Sequence, residues 1–255
     1  MKPSILKKIA LNPYPYFVRF GHCLQGVWYD LLVRTYRADG CRYVFPSDQM
    51  RIHERGQAYF NGFEAPERAM VMKHLPADST VLELGGCLGV VSCVINRRLL
   101  SPQKHVVVEP NIKLIAHLET NRSLNHCRFA IENCVVSDSP IVPFYTNTSI
   151  VLGSLRGQGA APENCAGLSI SQIEERHNLK FDFFVMDIEG GEIDLILNNS
   201  DFLRPNLRGI IIERHPESSP AALMAECKAV LDEYGLVLVD TIGHVECYLQ
   251  RSFSP

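Results

Sequence analysis

The sequence lacks any apolar run near the roughly 20 residues that a membrane helix requires. Its start, Met1-Lys-Pro-Ser-Ile-Leu-Lys-Lys8, meets Pro13 and Pro15 before an uninterrupted apolar stretch develops, so no secretory signal peptide is expected. Neither sign of charge dominates. Twenty-five Lys and Arg stand against 28 Asp and Glu, and a net charge of −3 gives no global attraction to nucleic acid. Paired cysteines are missing too: there are nine, an odd number, and none forms a C-x-x-C pair. That argues against a disulfide framework or a zinc site and predicts a reducing, cytoplasmic setting. Cys134 and Cys247 sit in apolar, strand-like surroundings and read as small buried hydrophobes. There is no internal repeat.

What remains is an ordinary soluble composition, 46% hydrophobic and 21% charged over 255 residues, enough for one large α/β domain. Residues 1–60 differ from the rest and are assigned to an N-terminal helical extension, with the main domain at 61–255. Phe17, Phe20, Leu24, Val27 and Leu31 recur at helical spacing beside Trp28. Lys2, Lys7, Lys8, Arg19, Arg34 and Arg37 outweigh Asp30. A basic amphipathic helix of this kind suits a membrane surface or a partner. Packing on the main domain is preferred, because apolar stripes usually serve cores. On either reading residues 1–37 are expected to be dispensable for the fold. Residues 42–45 suggest a short strand, and Pro66 suits the first position of a helix running to about Leu75.

From Ser79 onward strand and helix patterns alternate. Strands are expected at 81–84, 106–108, 129–136, 181–186 and 209–212, with a short extra one at 142–145. Helices are expected at 90–100, 111–124, 192–197 and 221–234. The last two runs, 237–239 and 245–249, flank Gly243 and read as a hairpin. This order implies a doubly wound, mostly parallel sheet with an antiparallel last strand. Residues 146–167, rich in Gly, Ala, Ser and Asn, break the rhythm and read as a long loop, either a substrate lid or a surface excursion.

Three strand ends carry chemistry. Val81-Leu-Glu-Leu-Gly-Gly-Cys-Leu-Gly-Val90 is strand, glycine turn, helix. Such a turn lets a ligand approach bare backbone at a helix N-terminus. Glu109, in Glu109-Pro-Asn111, follows the next strand, where a carboxylate can accept both ribose hydroxyl protons. Asp187-Ile-Glu-Gly-Gly-Glu192 puts three acids at the end of a central strand, and Ile212-Glu-Arg-His215 adds Glu213 and His215. Ligands bind along this carboxyl edge in open α/β sheets. Glu192 also suits the start of the following helix.

These pieces, with Val135-Val-Ser-Asp138, resemble the FkbM family of class I S-adenosylmethionine (AdoMet)-dependent methyltransferases, over about residues 62–250. Glu83 stands where the family more often has Asp, Cys87 where it often has Asn, and Gly191 where it often has Ala. The resemblance implies a Rossmann-like sheet of about seven strands and O-methylation of a sugar, glycan, polyketide or other small hydroxylated molecule. It implies cofactor contacts from Glu83, Gly85, Gly86, Cys87, Gly89, Glu109, Pro110, Asn111, Val135 and Asp187. The catalytic set is Asp187, Glu189, Glu213 and His215, with His215 as base, Glu213 orienting it, and Asp187 and Glu189 positioning the acceptor. A divalent metal on these four residues is the competing idea; no ligand spacing demands it, so no metal residues are assigned. Two other classes compete: an NAD(P)-binding oxidoreductase, which Gly85-Gly-Cys-Leu-Gly89 fits poorly, and a non-catalytic scaffold of the same fold, which has no need of the acids. The acceptor's identity and the oligomeric state are not encoded in any of these motifs.

Overall fold

β-Branched and aromatic runs place the strands, and glycines close the turns between them. The computed structural model describes residues 14–145, 162–199, 202–215 and 220–253, which divide into two compact units, Met1–Phe63 and Glu64–Pro255.

In the first unit α1 (Tyr14–Trp28) runs into a π-helical turn, Tyr29–Val33, that ends at Arg34 in the left-handed conformation. A hairpin follows, β1 (Tyr36–Ala38) and β2 (Cys41–Tyr43), and then α2 (Ile52–Asn61). The helices α1 and α2 approach closely because Gly26 and Gly56 have no Cβ: one added to Gly26 would collide with the Ile52 carbonyl. Tyr29, Tyr36, Phe45 and Tyr59 share ring contacts, the Tyr29 hydroxyl accepts from the Phe45 N–H at 3.1 Å, and Asp30 pairs with Arg55. Tyr29 and Tyr36 are therefore part of this unit's core, and a cut after residue 37 would remove both. The expected stripe lies on the other face, where Phe20, Leu24, Val27 and Leu31 are exposed.

The second unit opens with α3 (Ala65–His74), which has Pro66 in its first turn. Then come β3 (Val81–Leu84), α4 (Val90–Arg98), β4 (His105–Val108), α5 (Ile112–Leu124) and β5 (Ala130–Glu132). A small three-stranded sheet follows, built from β6 (Val135–Val136), β7 (Ile141–Phe144) and β8 (Glu163–Leu168). The chain continues through α6 (Ile170–His177), β9 (Phe183–Met186), α7 (Glu192–Asn198), β10 (Gly209–Glu213) and α8 (Ala221–Glu233), and closes with β11 (Leu236–Ile242) and β12 (Val245–Gln250).

Seven strands form the main sheet in the order β11-β12-β10-β9-β3-β4-β5. β10, β9, β3, β4 and β5 are parallel, and β12 is antiparallel to both its neighbours. The chain winds outward through β4 and β5 on one side of β3 and through β9 and β10 on the other. The switch point therefore lies between β3 and β9, where an open sheet leaves a crevice at its carboxyl edge. Both faces are covered. Leu82, Leu84, Phe184, Met186, Ile210 and Ile212 pack with Ile173, Ile193 and Leu231 from α6, α7 and α8. Val81, Phe183, Val185 and Ile211 pack with Val71, Val91 and Ile95 from α3 and α4. Burying each such side chain contributes about 1.5–3 kcal/mol.

Several expectations need correcting. The run 129–136 is two strands in different sheets, divided at Asn133 and Cys134. Of the expected loop, residues 146–161 lie outside the described residues, and Glu163–Leu168 is a strand. Gly167 belongs in that strand because a Cβ there would collide with the Ser139 carbonyl. The helices α2 and α6 went unforeseen, although Ser169 and Gln172 form a capping box on α6.

Candidate active site

The carboxyl ends of β3, β4, β9 and β10 bring the motifs together. Past β3, Gly85 takes φ +92°, and a Cβ there would strike the Asp187 carbonyl at the end of β9. Only glycine lets these two strand ends approach so closely. The N–H groups of Gly85 and Gly86 donate to Val108 at 2.9 and 3.1 Å, locking the turn against β4. Cys87 is left-handed at φ +45°, and Gly89, at φ +77°, caps α4. The Cys87 thiol is pushed well above its usual pKa by burial and by the nearby Glu64, Glu109 and Asp187.

Glu109 lies across this turn, 5% exposed. One carboxylate oxygen accepts from the Cys87 N–H and the other from the Asn111 N–H, both at 2.7 Å. Burial lifts its pKa to about 7, and the two N–H donors oppose that rise. Asn111 caps α5 through its side chain, which accepts from the Lys113 N–H at 3.1 Å. The Pro110 carbonyl accepts from Asn133 at 3.0 Å. Not every expected cofactor residue reaches the turn with its side chain. Glu83 is 2% exposed on the α3–α4 face, with Ser92 donating to it at 2.9 Å and His105 at 3.0 Å. It braces β3 against α4 and β4, so the cofactor contact expected of its side chain is not what the geometry supports. Val135 lies in β6, paired with Gly167 in the small sheet.

On the other side of the crevice, the segment after β9 wraps one carboxylate. Glu192, 1% exposed, accepts from the Ile188 N–H at 3.0 Å and the Gly190 N–H at 3.2 Å. The same oxygen is 3.0 Å from His215 Nδ1. Glu189 is left-handed at φ +54°, which turns the loop around this anchor. His215 Nε2 then faces three acids: Glu189 at 3.5 Å, Asp187 at 3.7 Å and Glu213 at 4.0 Å. The hydrogen bond to Glu192 raises the His215 pKa above 6.5. Burial lifts Glu189 to about 7 and, with Glu213 and Glu189 beside it, pushes Asp187 well above the usual range. Asp187 Oδ1 is buried without a hydrogen-bond partner.

The structure thus gathers Asp187, Glu189, Glu213 and His215, but Glu192 rather than Glu213 orients the imidazole. In the sequence Glu192 counts among the three acids at the strand end and suits the helix start, but its partnership with His215 does not show there. Two more acids went unnoticed, Glu64 and Glu67 on either side of Pro66. Glu67 is 7% exposed, its Oε2 has no hydrogen-bond partner, and burial lifts its pKa to about 7. Burial and Glu67 push Glu64 well up. Their one signal was a pair of acids flanking a helix-starting proline.

The family model described as the methyltransferase FkbM domain matches residues 83–237, more than half of the chain. The chain belongs to the FkbM methyltransferase family. Its activity class is therefore methyl transfer, and its sheet order is that of the class I methyltransferase fold, as the resemblance implied. Solved structures similar to this FkbM protein include the ribosomal protein L11 methylase of Lactobacillus delbrueckii subsp. bulgaricus, at 12% identity and TM-score 0.43, covering 71% of this chain and 74% of that one. They also include TYW2 of P. horikoshii in complex with MeSAdo, at 16% identity and TM-score 0.47, covering 84% and 68%. TYW2 of M. jannaschii in complex with AdoMet matches at 11% identity and TM-score 0.45, covering 84% and 82%. No curated protein matches the FkbM chain. Among the described residues no helix is long and apolar enough to cross a membrane.

Proposed function

We propose that this protein transfers a methyl group from AdoMet to a hydroxyl oxygen of a small, polyhydroxylated acceptor such as a sugar, glycan or polyketide. The observation that carries this reading is the Glu192–His215 pair, whose Nε2 faces Asp187 and Glu189 directly beside the glycine turn.

The turn suits the cofactor. Residues 85–89 offer close backbone approach at the start of α4, fitting the methionine part. Glu109 already accepts one N–H on each oxygen, and each oxygen keeps a second lone pair for a ribose hydroxyl. The unpartnered Asp187 Oδ1 and the acids around it favour a cationic group such as a sulfonium. AdoMet supplies an electrophilic methyl on that sulfonium. The residues' main task is then to align the acceptor oxygen in line with the methyl carbon.

His215 handles the acceptor proton. With Nδ1–H donated to Glu192, its Nε2 lone pair points into the cluster and takes the hydroxyl proton as the oxygen attacks. The carbon–sulfur bond breaks with its electron pair going to sulfur. Asp187 and Glu189 accept hydrogen bonds from the acceptor and position it. Four carboxylates around one imidazole repel phosphate-rich chains, which supports a small neutral acceptor over a nucleic acid.

The test is a screen of sugars, glycans and polyketides with methyl-labelled AdoMet. Label should appear as an ether in at least one hydroxylated acceptor. Transfer only to nitrogen, carbon or nucleic acid would sink the O-methylation reading.

A further inference from the structure

We propose that Asp187, Glu213 and His215 hold a divalent cation, and that the acceptor hydroxyl binds to that cation. The proposal rests on reading this cluster as the acceptor site. The three side chains each offer one ligand atom, and these atoms lie within 4.8 Å of one another. His215 Nε2 stands 3.7 Å from Asp187 Oδ1 and 4.0 Å from Glu213 Oε2. Those gaps are too long for hydrogen bonds. They do match two atoms on one ion: ligands about 2.1 Å from Mg²⁺ sit roughly 3 Å apart when adjacent and about 4.2 Å apart when opposite. Closure of about 0.7 Å brings His215 Nε2 and Asp187 Oδ1 to adjacent positions, and Glu213 Oε2 already stands near the opposite spacing.

Two further observations point to a ligand. The Glu192 carboxylate holds Nδ1, so Nε2 presents its lone pair inward, as metal-binding histidines do when a carboxylate takes their other nitrogen. In addition, buried carboxylate oxygens lack donors. Asp187 Oδ1, the oxygen that faces His215 Nε2, has no hydrogen-bond partner. Glu67 is 7% exposed, its Oε2 is buried and unpartnered, and its carboxylate lies within electrostatic reach of Glu213 and His215. An unanswered buried oxygen is costly, and a cation answers several at once.

Two carboxylates and one imidazole suit Mn²⁺, which accepts nitrogen more readily than Mg²⁺ does. Three protein ligands leave about three positions of an octahedron. That is room for two oxygens of one acceptor, so the acceptor class narrows to a vicinal diol such as a sugar presents. With a cation in place, His215 Nε2 would be a ligand instead of the base, and coordination would acidify the hydroxyl in its stead. The proton passes to Glu189, the oxygen bonds to the methyl carbon, and the carbon–sulfur electron pair goes to sulfur.

The test is Mn²⁺ binding to the full chain, followed by loss of the free-ion EPR signal, with neither AdoMet nor acceptor present. One Mn²⁺ should bind per chain, and Mg²⁺ should compete. Asp187→Asn and Glu213→Gln, checked for native circular dichroism, should each weaken binding by more than about tenfold, since losing even a partner of a ligand costs that much. Pulsed EPR of the wild-type complex should show nitrogen hyperfine coupling from one imidazole, which needs no variant to fold. No saturable Mn²⁺ binding, no nitrogen coupling, or equal binding by both folded variants would overturn the site. AdoMet is titrated separately. AdoMet binding without Mn²⁺ binding removes the cation and leaves the methyl-transfer reading. Mn²⁺ binding without AdoMet binding does the reverse.

Discussion

The two edges of the main sheet treat charge in opposite ways. At the amino edge, Glu174 is 2% exposed, accepts from the Phe181 N–H at 3.0 Å, and pairs with Arg204 and Lys180. Asp182 accepts from the Thr80 N–H at 2.9 Å and lies 3.8 Å from Arg208, which also reaches Asp78 at 3.0 Å. Each of these acids meets a cation. At the carboxyl edge, Glu67, Asp187, Glu189, Glu192 and Glu213 converge on His215. Parallel strands need a tidy start to hold register, and nothing in folding calls for a crowd of acids at their ends. The second edge keeps uncompensated charge that a bound cation relieves, and perturbed carboxylates of this kind cluster at working sites.

The largest effect should follow removal of the imidazole. His215→Ala should lower turnover by roughly 10²–10⁴-fold while calorimetry finds the AdoMet Kd nearly unchanged. Full turnover in that variant would take His215 out of the mechanism. The matching change at the amino edge is Glu174→Ala. It should cost about 3 kcal/mol of stability in urea unfolding, the low end for breaking a buried pair, because Lys180 is largely exposed. The folded fraction should keep its AdoMet affinity. If it loses affinity, the two edges are not separate in role.

Two buried glutamates sharpen the contrast within the cofactor side. Glu109→Ala should weaken AdoMet binding by about 1.5–3 kcal/mol, because charged hydrogen bonds to the ribose are lost. Glu83→Gln should leave that affinity alone and lower stability by about 1–2 kcal/mol, since its partners are Ser92 and His105. Equal loss of affinity in both would mean that Glu83 acts on the cofactor after all.

The sequence shows the carboxyl edge better than it shows what supports it. Each main strand reads as an apolar run, and Gly85, Asp187 and His215 fall at strand ends where local order alone predicts a crevice. Long-range partners are another matter. Glu192 sits 23 residues from His215, and its role depends on β9 and β10 being neighbours in register. Glu67 reaches the cluster from a helix outside the alternating pattern. The strand β8 was hidden because its pairing with β6 and β7 overrides the low strand propensity of Asn164, Ala166 and Gly167. The stripe on α1 has the right period, but periodicity does not say which face is buried. Gly26 and Gly56, read as a pair, would have pointed to the other one.

The smallest predicted effect concerns pH, and it divides stability from binding. Burial holds Glu67 and Glu109 at about 7, against a usual value of 4.5. A carboxyl raised in this way stabilises the fold in its protonated form. The contribution is full below pH 4.5 and is lost as pH rises through 7, where the folded protein must carry a buried charge that the unfolded chain carries in water. In EDTA and without AdoMet, stability should therefore fall by about 1–2 kcal/mol between pH 6.5 and pH 7.5. Glu67→Gln should flatten that slope by removing one titrating group. Affinity should run the other way, because only ionised Glu109 accepts strongly on both oxygens, whereas the protonated acid must donate from one. The AdoMet Kd should drop by up to about tenfold per pH unit below 7 and level off above it. A Kd that stays flat from pH 6 to pH 8 while stability falls would place the titrating charge on the acceptor side alone and remove Glu109 from cofactor binding.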